Sequence, residues 1–386
     1  METLISNENK LNGSIKKIPI ELRKYKFKKP ENISPIKIFF LRIKNDSQFF
    51  RSVVQFLFLV LVLWIGWEFH LFVKWGLSNG VENYFERPPG VEGFLPISAL
   101  MSLKFWLETG ILNSIHPASV FIFVAILLIG LFTKKAFCSW LCPVGTISES
   151  LYKFGQKIFK KNLTLPKFLD WPLRSIKYLL LLFFVWAILT MSVFALDQFI
   201  YSPYNKVSDI KMYLFFAEIS SFSMIVILIL ILLSVIIKNF WCRYLCPYGA
   251  LLGFLSFLSP IKITRNKTNC IDCNLCDKVC PGDIKIHAVK QVWSDECTAC
   301  LNCVEVCPVK NTLDLRISTK SKFALSKFHF GIIVTGIFII VTGLAIVSGN
   351  WKNSISKDEY LMRFGKLDSP VYQHAQGEVP KYKKTD

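Results

Sequence analysis

Five long stretches of the chain carry no charged residue and are mostly apolar, and lysine-rich segments separate several of them. They are Ser52–Trp67, Pro117–Thr133, Tyr178–Leu196, Ile219–Ile237 and Phe330–Trp351. A helix that crosses a bilayer needs about 20 apolar residues, and a helix satisfies all of its backbone groups within one segment. The pattern therefore predicts about five transmembrane helices, at about 52–74, 116–133, 177–197, 217–238 and 328–351.

Two copies of one motif follow the second and the fourth of these apolar stretches. FCSWLCPVG occupies Phe137–Gly145 and WCRYLCPYG occupies Trp241–Gly249, so both copies share an aromatic residue, two cysteines, a proline and a glycine in the same order. Internal repeats of this kind are common in membrane proteins. Residues 52–261 are therefore predicted to form a mainly α membrane domain with a pseudo-two-fold repeat.

The distribution of lysine and arginine predicts the orientation. The arm at residues 1–51 is strongly basic, whereas the segment after the first apolar stretch has few cations. Because cations collect in cytoplasmic segments, the amino terminus is expected in the cytoplasm of a multi-pass protein of the inner (cytoplasmic) membrane. With five spans, residues 352–386 form an extracytoplasmic tail. The net charge of +19 then indicates attraction to anionic membrane lipid rather than nucleic-acid binding.

All twelve cysteines lie in motifs, and eight of them form two tandem C-x2-C-x2-C-x3-C-P runs. The first run is Cys270, Cys273, Cys276 and Cys280, and the second run is Cys297, Cys300, Cys303 and Cys307. In bacterial two-cluster ferredoxins such runs bind two [4Fe-4S] clusters, and the fourth cysteine of each run ligates the other cluster. Residues 262–318 are therefore predicted to be a cytoplasmic ferredoxin domain (α+β), inserted before the last transmembrane helix.

The cross-over defines two predicted ligand sets. The first set is Cys270, Cys273, Cys276 and Cys307, and the second set is Cys297, Cys300, Cys303 and Cys280. Zinc also binds C-x2-C pairs, but its sites rarely use a triple x2 spacing with a trailing Cys-Pro. Disulfides are the weaker alternative, since the cytoplasm keeps thiols reduced. The pattern favours iron-sulfur clusters and hence electron transfer.

The remaining four cysteines form two C-x3-C-P pairs, one in each copy of the repeated motif. The first pair is Cys138 and Cys142, and the second pair is Cys242 and Cys246. Cysteines at i and i+4 lie on one helix face, and the following proline is expected to end that helix. Together the pairs supply the four thiolates of a third cluster. A reversible dithiol in each pair, another kind of metal site, and simple packing of small apolar residues are alternatives that the sequence leaves open.

Three ionisable residues are candidates for a quinone or proton site. Glu68 and His70 follow the first apolar stretch, and His116 precedes the second. Ionisable groups are rare in such positions, and an imidazole or a carboxylate could accept the protons of quinol. Interfacial placement explains the same residues without a function. Residues 87–110 are mostly apolar but interrupted by prolines, and we expect them to form a loop at the outer interface.

On these motifs the chain resembles the membrane polyferredoxins of the NapH/NosR type, and most closely the YccM-like group of 4Fe-4S binding membrane proteins. The resemblance extends over residues 50–375, and besides the cysteine motifs it includes Arg87–Met101. It implies electron movement between the quinone pool, the cytoplasmic clusters and a redox partner such as a respiratory reductase. The sequence contains no C-x-x-C-H haem-attachment motif and no nucleotide-binding G-x-G-x-x-G after a strand.

Two functions follow from the sequence. The first is a membrane electron-transfer protein that carries two [4Fe-4S] clusters and passes electrons between a membrane donor, expected to be quinol, and a redox partner protein. The alternative is a redox maturation or sensing factor for a metalloenzyme, which would use its clusters and exposed, reactive dithiols at the membrane edge. No independent catalytic motif is present.

Overall fold

The computed structural model describes residues 34–160, 162–318 and 323–373. This part of the chain is mainly helical, and the prediction of a mainly α fold is confirmed at that level. The helices are α1 Pro35–Asn45, α2 Ser47–Leu77, α3 Pro96–Thr109, α4 Pro117–Thr133, α5 Ala136–Trp140, α6 Pro143–Phe159, α7 Lys167–Thr190, α8 Val193–Ile200, α9 Pro203–Lys206, α10 Ser208–Ala217, α11 Ser221–Ile236, α12 Pro247–Leu255, α13 Leu275–Lys278, α14 Asn302–Val306, α15 Lys327–Val347 and α16 Lys357–Phe364.

Within the described residues, three helices are long and apolar enough to cross a membrane: α2, α7 and α15. Helices α10 and α11 together also reach that length, but they are bent by 83° at the break between them. Helix α4 is apolar but has only 17 residues. Each predicted span thus falls on a helix. Three of the five spans meet the length criterion as single helices, and a fourth meets it if the bent pair is counted as one span. Five spans and the two-fold repeat remain predictions.

Two helix ends differ from the predicted spans. Helix α2 continues to Leu77, because Glu68, His70 and Lys74 are compatible with helical backbone although they interrupt the apolar run. The third span was expected to reach residue 197, but α7 ends at Thr190. There Ser192 caps a new helix by accepting a hydrogen bond from the backbone N–H of Ala195 at 3.2 Å.

The expectation of a loop at residues 87–110 is wrong. Most of this segment is helical: a 3₁₀ turn at Pro89–Phe94 is followed by α3. Pro96 occupies the first turn of α3, where its missing N–H costs nothing. Gly110 ends the helix with a φ of 74°, a left-handed conformation that glycine adopts easily.

The described chain divides into two compact units. Among the described residues, unit 1 comprises 34–58, 127–160, 162–178, 233–318 and 323–336, and unit 2 comprises 59–126, 179–232 and 337–373, with each boundary falling inside an apolar helix. The core of unit 2 is rich in aromatic side chains, among them Phe72, Trp75 and Phe364. Unit 1 contains all twelve cysteines.

The ferredoxin part of unit 1 is built on a small antiparallel sheet. Strand β1 is Lys262–Arg265 and β2 is Leu313–Arg316, paired so that Lys262 lies opposite Arg316 and Arg265 opposite Leu313. Both cysteine runs lie between the two strands along the chain. The short helices α13 and α14 each contain the third cysteine of a run. The expected mixture of short helices and strands at residues 262–318 is present.

Candidate iron-sulfur sites

The two cysteine runs adopt the same unusual backbone. In the first run the residues on either side of Cys273 have positive φ: 50° at Asp272 and 57° at Asn274. In the second run the residues beside Cys300 do the same, with 49° at Ala299 and 61° at Leu301. A left-handed backbone is costly for alanine and leucine. Alternating left-handed residues form concave turns whose N–H groups favour anions, and a thiolate-ligated cluster is such a group.

Each predicted ligand set lines one cavity. A cavity of about 370 Å³ has all four cysteines of the first set in its lining, including Cys307 from the second run. A cavity of about 360 Å³ has all four cysteines of the second set in its lining, including Cys280 from the first run. The structure thus brings the cysteines together in the crossed arrangement, although ligation itself remains a prediction.

The thiols surround space rather than converging on a point. Among the described residues, no three His, Cys, Asp or Glu side chains lie close enough together to bind a single metal ion. A [4Fe-4S] cluster takes one thiolate on each of four irons, whereas zinc requires four ligands around one ion. Burial raises the pKa of Cys280 to about 12, and burial also raises the pKa of Cys303. Thiols of this kind need a bound metal to lose their protons.

Polar groups of the protein contact the first set directly. The guanidinium of Arg265 donates a hydrogen bond from Nη1 to Sγ of Cys270 at 3.4 Å. The Nε atom of Arg265 is buried and has no hydrogen-bond partner among the described residues. His287 also lines this cavity, and its Nδ1 lies 2.5 Å from Oδ2 of Asp277. A buried donor without an acceptor fits a cavity that holds an electron-rich cluster.

The backbone of the C-x3-C-P pairs differs from the expected single helix. Cys138 lies in α5, but Cys142 is extended, with φ −63° and ψ 121°, and precedes α6. Cys246 adopts a similar conformation before α12 and accepts a hydrogen bond from the Gly249 N–H at 3.3 Å. The proline after each second cysteine therefore begins the next helix instead of only ending the previous one, because proline suits the first helical turn.

The motif around the first cysteine pair requires glycine at position 145. A Cβ built on Gly145 would lie 2.0 Å from the carbonyl oxygen of Cys138, far inside any allowed contact. At the matching position of the second copy, a Cβ on Gly249 would lie 3.1 Å from the carbonyl oxygen of Cys242. The glycine of the motif thus lets the start of each following helix approach the backbone of the first cysteine.

The two pairs share one electrostatic environment. Burial raises the pKa of Cys138 to about 12, and negative charge on Cys142 and Cys246 adds to the effect. Burial likewise raises the pKa of Cys142 to about 11, again with a contribution from Cys246. The pKa of Cys242 is raised by burial and then by the other three thiols. The charge of the thiols in one pair thus contributes to the pKa values of the thiols in the other pair.

Both pairs contact the loops of the second set. Beside Cys138, the Ser139 hydroxyl donates to the carbonyl oxygen of Thr298 at 2.6 Å, and Trp140 Nε1 donates to that of Ala299 at 3.2 Å. Beside Cys242, Arg243 donates to Oδ2 of Asp283 at 2.6 Å. The loops of the second set thus contact the segments that carry the paired cysteines.

Buried ion pairs reinforce this attachment. Lys177 in α7 pairs with Glu296, immediately before Cys297 in the second run, and both side chains are buried. Arg51 in α2 binds both carboxylate oxygens of Glu149 in α6, at 2.7 Å and 2.6 Å. Arg51 also donates to the carbonyl oxygen of Ser139 at 3.2 Å. Breaking such a buried pair on one side is costly, because it leaves an uncompensated charge.

The three quinone or proton candidates lie in different surroundings. His70 is exposed, with Nδ1 2.6 Å from the Tyr213 hydroxyl, and Glu68 is partly buried. His116 is fully buried; its Nε2 lies 2.7 Å from the carbonyl oxygen of Asn205. The described polar contacts of His116 include neither Glu68 nor His70.

Sequence reasoning missed the ionic cluster beside His116. Arg87 donates to Asp209 at 2.5 Å and to Glu92 at 2.9 Å, and Glu92 Oε1 lies 3.5 Å from His116 Nδ1. All four side chains are buried. In the sequence, the feature that could have indicated this ionic cluster was an arginine and an acidic residue close together within residues 87–110. No local sequence pattern indicates the distant partners of Arg51 and Lys177.

Two family models match the cysteine-containing segments. A "4Fe-4S binding domain" matches residues 115–162 and 221–266, which contain the two C-x3-C-P pairs. A "4Fe-4S dicluster domain" matches residues 262–308, which contain both C-x2-C-x2-C-x3-C runs.

Several curated proteins are similar over long stretches. YccM of Escherichia coli strain K12, which has a provisional description as an electron transport protein, is 43% identical over 320 residues, covering 82% of this chain and 90% of that protein. Protein NirI of Paracoccus denitrificans is 30% identical, covering 61% of this chain and 33% of its own length. Ferredoxin-type protein NapH of Escherichia coli strain K12 is 28% identical, covering 50% of this chain and 66% of its own length. No solved structure matches the chain.

Proposed function

The chain belongs to the YccM-like family of NapH/NosR-type membrane polyferredoxins, and from this premise we propose that it transfers electrons between quinol in the membrane and a soluble redox partner. At the coarser level it is a membrane protein with 4Fe-4S binding domains of the electron-transport type. The quinol donor, the partner protein and the individual ligands are the parts that we propose.

We assign a [4Fe-4S] cluster to each of the two cysteine sets. Bound there, the clusters would supply one-electron transfer without any bond being made or broken in the protein. The protein's own residues hold the thiolates: the left-handed turns beside Cys273 and Cys300 shape the loops, and the cross-over cysteines Cys307 and Cys280 close the two cavities.

The observation that carries the proposal is the contact between the paired cysteines and the second set. Ser139 and Trp140 are hydrogen-bonded to the loop that follows Cys297. The four thiols of the pairs are close enough to influence one another's pKa values, and their segments match a 4Fe-4S model. We therefore assign a third iron-sulfur cluster to the two pairs, on the membrane side of the second set.

Burial supports an order among the sites. Three cysteines of the second set are buried, whereas all four of the first set are partly exposed. The second set contacts the helical segments of the cysteine pairs. The first set is thus the better placed to meet a soluble partner protein such as a respiratory reductase, and the paired cysteines are the better placed to meet a membrane donor.

Sidedness and span number belong to the same proposal. We propose five spans, with α4 and the bent pair α10 and α11 crossing the inner membrane with help from their flanks. The excess of cations before α2 then places the amino terminus and the ferredoxin part in the cytoplasm. Glu68, His70 and His116 remain the candidates for accepting quinol protons.

A maturation or sensing role would require exposed, reactive thiols at the two pairs. Burial raises the pKa of Cys138 to about 12 and that of Cys142 to about 11. A thiol that stays protonated at neutral pH is a poor nucleophile and oxidises slowly. The four thiols are also only partly exposed, and electron transfer is the function that we propose for them.

The test is quinol-dependent reduction of the purified, anaerobic protein, followed by electron paramagnetic resonance after rapid freezing. We expect a reduced quinol analogue to generate cluster signals, and the Glu68→Gln and His70→Gln variants to show whether either residue accepts protons. Glu82→Gln is the matched control, because Glu82 is an exposed acid paired with Lys74. Clusters that respond to dithionite but never to any quinol would contradict the proposed donor.

A further inference from the structure

Arg265 occupies a distinctive place at the end of β1, next to the first cysteine set. Its side chain is 8% exposed, and it lines the cavity that the first set surrounds. Its Nη1 atom donates a hydrogen bond to Sγ of Cys270 at 3.4 Å. A charged donor on a ligand sulfur is a contact through which a protein changes the electronic properties of its cluster.

Two details indicate that this arginine serves the cavity rather than an ion pair. Its Nε atom is buried and unpartnered among the described residues, although a buried guanidinium N–H normally finds an acceptor. Its carboxylate neighbour is Asp272, at 3.3 Å, whose side chain is 72% exposed. An ion pair with so exposed a partner is weak, so most of the positive charge of Arg265 stays available to the cavity.

The second set has no counterpart at the matching position. Arg265 stands five residues before Cys270, and the residue five before Cys297 is Val292. Val292 is buried and lines the second cavity as Arg265 lines the first. The first set therefore has a cation hydrogen-bonded to one of its ligand sulfurs, whereas the second set has an apolar side chain at the matching position.

We propose that Arg265 raises the reduction potential of the cluster held by the first set. Reduction adds one electron, and hence one negative charge, to the cluster and its four thiolates, with no proton or bond exchanged. A fixed cation and its N–H donors stabilise this added charge. A raised potential favours the arrival of an electron at this cluster, whose cysteines are partly exposed.

This inference rests on the proposed function and adds a direction to it. Oxidation of one quinol to quinone releases two electrons and two protons, and each cluster accepts one electron. A raised first-set potential favours the first set as the cluster that passes electrons to the soluble partner. The structural basis is a single side chain, so the idea can be tested without the partner.

The experiment is a redox titration of the purified full-length protein, monitored by electron paramagnetic resonance, with Arg265→Gln compared to wild type. The signal of the first set is identified as the one that Cys273→Ser abolishes. We expect Arg265→Gln to lower the equilibrium constant for reducing this cluster about tenfold, which is about 59 mV for one electron. Lys267→Gln is the control, since Lys267 is an exposed cation two residues away whose removal should change the potential far less.

Asp272→Asn provides an independent test of opposite sign. Removing this exposed carboxylate leaves Arg265 unopposed, so the midpoint potential of the first set should rise, and asparagine tolerates the left-handed backbone at this position. An unchanged first-set midpoint in an Arg265→Gln protein that keeps its iron overturns the inference. If Arg265→Gln loses iron, Arg265→Met decides: a lowered first-set midpoint supports the inference, and an unchanged or raised one overturns it. Absence of clusters from the wild-type protein would instead refute the proposed function.

Discussion

Replacing Gly145 by alanine is the most revealing single change, because it acts on the first cysteine pair without touching a thiol. The new Cβ would lie 2.0 Å from the carbonyl oxygen of Cys138, and real Cβ atoms stay at least 3.0 Å from such neighbours. The backbone at Cys138 or Gly145 must therefore move by about 1 Å, and overpacking of this kind costs about 1–3 kcal/mol. The clash is with backbone, so no side-chain rotation relieves it.

The expected consequence is specific to the cluster assigned to the two pairs. Displacing Cys138 misaligns its thiol with the other three, whereas the two ferredoxin sets lie on separate loops. We expect iron to fall from about twelve to about eight atoms per chain, with both ferredoxin signals retained. Iron and acid-labile sulfide analysis of the anaerobically purified variant, together with electron paramagnetic resonance, measures this directly.

Two glycines elsewhere provide matched controls. Alanine at Gly249 would place its Cβ 3.1 Å from the carbonyl oxygen of Cys242, a tight contact that a small shift relieves, so most iron should remain. Alanine at Gly336, in α15, meets nothing within 4 Å and should behave as wild type. A Gly145→Ala protein with wild-type iron would refute the role of this close approach, as would one that lost ferredoxin iron instead.

Three further substitutions test other parts of the account. Cys307→Ser should abolish the signal of the cluster built on Cys270, Cys273 and Cys276 and leave that of the second set; loss of the second-set signal alone would contradict the cross-over. Cys142→Ala should preserve both ferredoxin clusters but slow their reduction by quinol at least tenfold in stopped-flow measurements, and an unchanged rate would remove the pairs from the path. Arg51→Met should destabilise the protein by about 3 kcal/mol in denaturant titrations in detergent, because Glu149 stays buried without its main partner. The Arg51→Met/Glu149→Leu double variant should recover most of the lost stability. No recovery would show that the ion pair is not the cause of the loss.

Much of the fold could be predicted because a membrane helix requires a long run of apolar residues, and such a run is visible in the sequence. Every predicted span falls on a helix, but helix ends were less accurate. Ser192 caps a new helix within the third apolar run. A hydropathy pattern does not reveal a hydroxyl cap inside an apolar stretch. The sequence predicts a loop at residues 87–110 because prolines interrupt the region, but Pro96 is well placed to begin a helix, and α3 begins there.

The crossed cysteine sets remain a prediction from the spacing of the thiols, and each predicted set lines one cavity. What the sequence could not provide were the contacts between segments distant along the chain. Nothing local indicates that Trp140 reaches Ala299, or that Lys177 pairs with Glu296. Arg265 was equally hidden, since a single arginine before a cysteine run has no distinctive pattern until β1 places it against Cys270.

The central claim is that eight crossed cysteines hold two [4Fe-4S] clusters that serve electron transfer. Quantitative iron and sulfide analysis of the anaerobically purified protein, combined with electron paramagnetic resonance during a redox titration, tests it most directly. We predict at least about eight irons and eight sulfides per chain, with two distinguishable cubane signals. A colourless, iron-free protein under strictly anaerobic handling, or one that binds only zinc, would contradict the claim.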